Sequence, residues 1–200
     1  MKKIIGILVA LGLVLSMTVM ATPVSANVTK ADVKVTNTDC ASDWGTYNIT
    51  FNVTADLLDG GTTITIVFPS DTNLSKLKNI TVQQIGVSAA TAVPATWITV
   101  SGQTLTFYSP LHVVVGASPV VSVVCQTDRA THGIKNPSVG STTYTVKVNT
   151  SAPVDSTPVE SNKYTIRPKL STYKLLWDSG PTYPGIAKGF VPPFKACGQN

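Results

Sequence analysis

Charge is scarce in this chain, and acid of one kind is almost absent. The 200 residues include one glutamate, Glu160, and two histidines, His112 and His132, and charged residues make up 12% of the whole. General acid–base catalysis draws mainly on His, Glu and Asp, so the supply is small. No Gly-x-Ser-x-Gly elbow, His-Glu-x-x-His pair or phosphate loop occurs. The three cysteines, Cys40, Cys125 and Cys197, do not have the spacing of a zinc site. Beyond the first apolar run, Leu111 to Val124 comes closest to a membrane span, but His112, Gly116, Ser118, Pro119 and Ser122 interrupt it. No basic helix or RNA-binding aromatic motif points to nucleic acid. The low charge density suits neither a disordered chain nor a helical bundle.

What is present begins with an export signature. Met1-Lys2-Lys3 gives a positive start, Ile4 to Met20 an apolar run, and Val24-Ser25-Ala26 a small-residue exit after Pro23. These three parts in this order read as a secretory signal peptide over 1–26, cleaved after Ala26. No cysteine follows the cleavage point, which excludes the usual lipid-modified N-terminus. The mature chain is then expected to be secreted, with no transmembrane anchor.

Beyond the signal, Thr, Val and Ser dominate, and the first two favour strands. The sequence divides into 27–166, with a net charge of −1, and 167–200, with +4. The second stretch holds Pro168, Pro181, Pro184, Pro192 and Pro193, and the aromatics Tyr173, Trp177, Tyr183, Phe190 and Phe194, without a period of two or 3.6. It reads as an irregular, basic C-terminal tail. Tyr173, Trp177, Tyr183 and Phe190 are its candidate ligand or partner contacts, since exposed aromatics beside positive charge suit an anionic surface. The same aromatics could instead cover the domain.

The domain reads as all-β. From Gly45 to Ala55, Tyr47, Ile49, Phe51, Val53 and Ala55 alternate with Asn48, Thr50, Asn52 and Thr54, which predicts one buried and one wet face. Asp59-Gly60-Gly61 marks a turn, and Thr62–Phe68 follows as a strand ended by Pro69. Ser101-Gly102 reads as the turn of a hairpin joining Thr96–Val100 to Thr104–Tyr108. Further strands are expected at Ala31–Asn37, Asn79–Ile85, His112–Val115, Val120–Cys125, Thr142–Asn149 and Ser161–Ile166, with a helical turn within Asp71–Lys78. About 8–10 short strands with Gly, Pro and Asn punctuation predict a β-sandwich.

Cys40 and Cys125 border predicted strands and form the candidate disulfide; Cys197 remains for the tail or for another chain. Cys125, Asp128 and His132 are the strongest local cluster for chemistry, as thiol, carboxylate and imidazole can bind a metal or activate sulfur. The cluster lacks a fourth ligand at a recognisable spacing and reads as a loop. Asp56 and Asp59 flank a Gly-Gly turn with too few oxygens for calcium. The sequence therefore assigns no catalytic residue, metal or cofactor.

Two stretches carry a resemblance. One is Ile49–Ala55 with Gly61–Pro69; the other is Gly133-Ile134-Lys135-Asn136-Pro137-Ser138-Val139-Gly140, then Tyr144–Ser151, Pro158–Ser161 and Tyr164–Ile166. In this order they resemble a β-sandwich module of secreted and S-layer-like surface proteins of prokaryotes, over roughly Val33 to Ile166. The resemblance implies an immunoglobulin-like sandwich and a surface role, and carries over no catalytic residue. The expected function is a non-catalytic cell-surface structural or adhesion module, in an envelope layer or filament. Its expected partners are an envelope polymer, other surface proteins or further copies of itself. A carbohydrate- or ligand-binding module is the alternative, because aromatic faces such as those of Trp97 and Trp177 stack on sugars.

Overall fold

A computed structural model describes residues 28–36, 38–77, 79–116, 120–126, 133–151 and 157–169. The expected signal peptide, the expected tail beyond Lys169, and Asp128 and His132 lie outside these residues.

The chain is all-β and antiparallel in its strand pairings. Its strands are β1 (Val28–Thr36), β2 (Trp44–Val53), β3 (Thr63–Val67), β4 (Asn73–Lys76), β5 (Asn79–Gln84), β6 (Thr91–Ala92), β7 (Ile98–Ser101), β8 (Thr104–Tyr108), β9 (Val120–Gln126), β10 (Gly133–Lys135), β11 (Ser141–Tyr144), β12 (Lys147–Thr150), β13 (Val159–Glu160) and β14 (Tyr164–Ile166). One sheet runs β4-β10-β2-β9-β5-β6, with β1 also on β2; a second runs β13-β12-β3-β8-β7; β11 and β14 form a separate pair.

Alternation explains why these segments pair as they do. In β2, Tyr47, Ile49, Phe51 and Val53 are buried while Asn48, Thr50 and Asn52 are half-buried. β9 matches it, with Val121, Val123 and Cys125 opposite Phe51, Ile49 and Tyr47. Ile64 and Ile66 of β3 lie opposite Phe107 and Leu105 of β8. All of these side chains join a single apolar core. A one-residue slip of β3 would turn Ile64 and Ile66 to water, at roughly 1.5–3 kcal/mol for each. Tyr47 anchors the core's aromatic cluster, meeting Phe68 edge-on at 5.5 Å and Tyr164 at 5.9 Å. The expected hairpin exists: Ser101 pairs with Thr104 across a turn in which Gly102 has φ of 57°, a left-handed angle that favours glycine.

The structure corrects four expectations. Among the described residues there are fourteen strands rather than about 8–10, because several are two to four residues long. Asp71–Lys78 contains strand β4 rather than a helical turn, since Asn73–Lys76 pairs with β10. His112–Val115 is not a strand: only Val113 makes a bridge, to Leu57. Thr142–Asn149 is two strands, because the chain leaves β14 after Tyr144 and joins β3 at Lys147. At this step the Val146 N–H donates to Ser161 Oγ at 3.0 Å.

Candidate functional site

The expected Cys40–Cys125 disulfide is not formed, and Cys125 is a free, buried thiol. Cys125 lies within β9, in register with Tyr47 and Ile80 on the core side of the sheet. Cys40 belongs to the turn before β2, where it bridges to Arg167. Burial pushes the Cys125 thiol up to about 12, which makes it a poor nucleophile at neutral pH. Asp128 and His132, its expected partners, lie outside the described residues, as do Tyr173, Trp177, Tyr183 and Phe190. Among the described residues there is no group of three or more His, Cys, Asp or Glu side chains placed to hold a metal ion.

Asp56 ties two loops together. Its Oδ1 accepts the Val115 N–H at 2.9 Å, and its other oxygen lies 3.9 Å from His112 Nε2. The Gly133–Gly140 segment is equally structural. The Tyr47 hydroxyl donates to Asn136 Oδ1 at 2.8 Å, and Asn136 Nδ2 donates to the carbonyls of Thr38 at 3.1 Å and Cys40 at 2.8 Å. Asn136 is thus the polar pin that joins β10, β2 and the turn before β2. In the sequence the Asn-Pro pair stood only within the stretch that carries the resemblance, without this buried role.

The most distinctive surface is an end of the fold. The end of β2, the start of β3 and the ends of β5 and β8 come together at one pole. Three loops of described residues lie there: 54–62, 85–90 and 109–116. Leu57 and Val113 exchange backbone hydrogen bonds at 3.0 and 2.9 Å, Gly60 N–H donates to Ser109 O at 2.9 Å, and Gln84 Nε2 donates to Val114 O at 2.9 Å. At this pole five large apolar side chains face solvent: Leu58 (54% exposed), Ile85 (42%), Val87 (54%), Tyr108 (43%) and Val114 (44%). Tyr108 is edge-on to Trp97 at 6.1 Å, and Trp97 in turn covers Gly60. The three loops contain no Lys or Arg, and their charged or titratable side chains are Asp56, Asp59 and His112.

The other pole lies about 30 Å away, the length of the ten-residue β2. It is rich in charge. Arg167 pairs with Asp39, Lys169 with Asp43, and Lys76 lies 5.6 Å from the Trp44 ring centre. The Asp71 carboxyl accepts from both the hydroxyl and the N–H of Ser138, which hold it below its ordinary 3.8. Two open clefts also lie here, one lined by Val67–Ser70 and Thr143–Thr145, the other by Asp71–Ser75 and Val100. The first sets Lys147 near Tyr144, and the second has Asp71 as its one charged side chain.

Sequence reasoning missed the apolar pole, because its members are scattered singly through the chain. No family model and no curated protein matches the sequence. Among solved structures, the chain is similar to the crystal structure of BslA, described as a bacterial hydrophobin, with 14% identity and a TM-score of 0.41 over 70% of this chain and 98% of that one.

Proposed function

We propose that the chain is a non-catalytic structural or adhesion module of the cell surface, exported and built on an immunoglobulin-like sandwich, that works through contacts rather than chemistry. The observation that carries this reading is the division of the surface. Four of the six exposed large aliphatic side chains among the described residues gather on three loops at one pole; Val100 and Val139 are at the other, which the Arg167–Asp39 and Lys169–Asp43 pairs mark. Scattered apolar residues are ordinary on any surface, whereas a gathered set marks a site of contact. The thiol that the sequence offered for chemistry is buried and held protonated. An envelope polymer, other surface proteins or further copies are the proposed partners, with the basic tail as a second point of attachment.

Cell fractionation tests the reading. The protein is expected in the envelope fraction or in an assembled surface layer. Recovery as a wholly soluble monomer in the culture medium would overturn it.

A further inference from the structure

We infer that Cys40 and Cys197 are joined by a disulfide within one chain, which closes residues 168–196 into a covalent loop on the charged pole. The inference deepens the proposed surface role and rests on it. The second point of attachment becomes a loop fixed at both ends instead of a trailing end.

Elimination names the pair. The sequence holds three cysteines. Cys40 is disulfide-bonded, and Cys125 is a free thiol. Within the chain that leaves Cys197, which itself lies outside the described residues. The chemistry of Cys125 agrees with its exclusion. It is buried in β9, and burial pushes its thiol up to about 12, so it supplies little of the thiolate that disulfide exchange requires.

The surroundings of Cys40 favour a partner from its own chain. The turn that carries it is fixed: Asn136 Nδ2 and the Asp43 N–H both donate to Cys40 O, at 2.8 and 3.2 Å. Cys40 is 5% exposed, which leaves little room for the sulfur of a second chain. The tail, by contrast, starts at this turn. Cys40 and Arg167 form a parallel bridge, in which the Arg167 N–H donates to Asp39 O at 2.7 Å and the Ala41 N–H to Arg167 O at 2.8 Å. The Arg167–Asp39 and Lys169–Asp43 ion pairs hold the same place. Arg167 and Cys197 are then about 30 residues apart. A tether of that order keeps its end at an effective concentration far above that of a second chain in dilute solution.

The step balances as thiol–disulfide exchange. The Cys40 and Cys197 thiols give up two protons and two electrons and form one S–S bond. An oxidised small-molecule or protein disulfide accepts them, and its own S–S bond breaks to give two thiols. Tyr173, Trp177, Tyr183 and Phe190 fall inside the closed segment, with Lys174 and Lys188. Fixing both ends of that segment removes freedom that docking would otherwise cost.

Peptide mapping of the full chain, purified and oxidised with glutathione disulfide, tests the inference. After alkylation in urea without reductant, trypsin is expected to release peptide 35–76 joined to peptide 196–200, and peptide 79–129 alkylated at Cys125. Reduction should separate the joined pair, and the intact protein should have the mass of a monomer. Cys197→Ser should show two free thiols per chain in urea, those of Cys40 and Cys125, where wild type shows one. Three alkylated or glutathione-bound cysteines in wild type would overturn the inference. So would a bond from either peptide to 79–129, or a covalent dimer. The oxidant is supplied in the test tube, so cell fractionation does not affect the result, and the bond and the surface role fail separately.

Discussion

Replacing Asn136 with alanine removes one acceptor and two donated hydrogen bonds from a buried site. The Tyr47 hydroxyl loses its acceptor at 2.8 Å, and the carbonyls of Thr38 and Cys40 lose donors at 3.1 and 2.8 Å. A buried polar group left without a partner costs about 1–3 kcal/mol. Three such groups, with some relaxation and water entry at the carbonyls, predict a loss of about 3–5 kcal/mol. For a domain of this size that corresponds to a fall in Tm of roughly 10–15 °C. Tyr47→Phe leaves only Asn136 Oδ1 unpaired and is expected to cost about 1–2 kcal/mol. Because the two side chains share a bond, the double variant should lose less than the sum of the singles. Urea denaturation of the four proteins, at constant m-value, measures all three quantities. An Asn136→Ala variant within about 1 kcal/mol of wild type, or strict additivity, would refute the role given to this pin.

Gly140→Ala would place a Cβ 2.5 Å from the Pro168 nitrogen, so overpacking should cost about 1–3 kcal/mol in the same assay. Cys125 should resist a thiol-specific reagent at pH 8 in the native protein and react once urea unfolds it; rapid native labelling would show that the thiol is accessible. Its folded pKa of about 12 exceeds its ordinary 9.0, and burial likewise raises Tyr47 and Tyr164 above 10.0. The unfolded chain therefore loses these protons first, and stability should decline as pH rises above about 9. A urea midpoint that is flat from pH 9 to 12 would contradict this. Asp71 is shifted the other way, so its contribution is present above pH 3.8 and lost as pH falls through its lower folded value. Asp71→Asn should weaken that acid dependence, which urea midpoints between pH 2 and 5 would reveal.

The parts of the fold legible in the sequence are those in which local pattern and burial agree. Tyr47 to Val53 and Thr63 to Val67 alternate because one face meets the core, and Ser101-Gly102 turns a hairpin by its own chemistry. The pattern failed where pairing is decided at a distance. Asn73–Lys76 buries one strand residue, Leu74, and becomes a strand only because β10 arrives beside it. Tyr144, Val146 and Val148 keep one unbroken alternation, yet the chain changes sheets among them. The apolar stretch His112–Val115 looked like a strand, but it works as a loop that buries Val113 and exposes Val114. The apolar pole was hidden for a related reason. Leu58, Ile85, Val87, Tyr108 and Val114 have no shared spacing, and only the convergence of strand ends assembles them.

The placing of β2 also sets the order in which the protein can fold. β2 leaves the ribosome early, but β9 and β10, which complete its sheet, come much later, and the Tyr47–Asn136 bond joins residues 89 positions apart. Until β9 follows, β2 lacks the neighbour that pairs with Tyr47 to Asn52. Pairings this distant require closing a long loop before any contact rewards it, which makes such topologies slow to form. A partly synthesised chain is therefore held open by its own topology. Folding is postponed until the strands near the end of the domain have emerged, so synthesis and closure of the core become successive events.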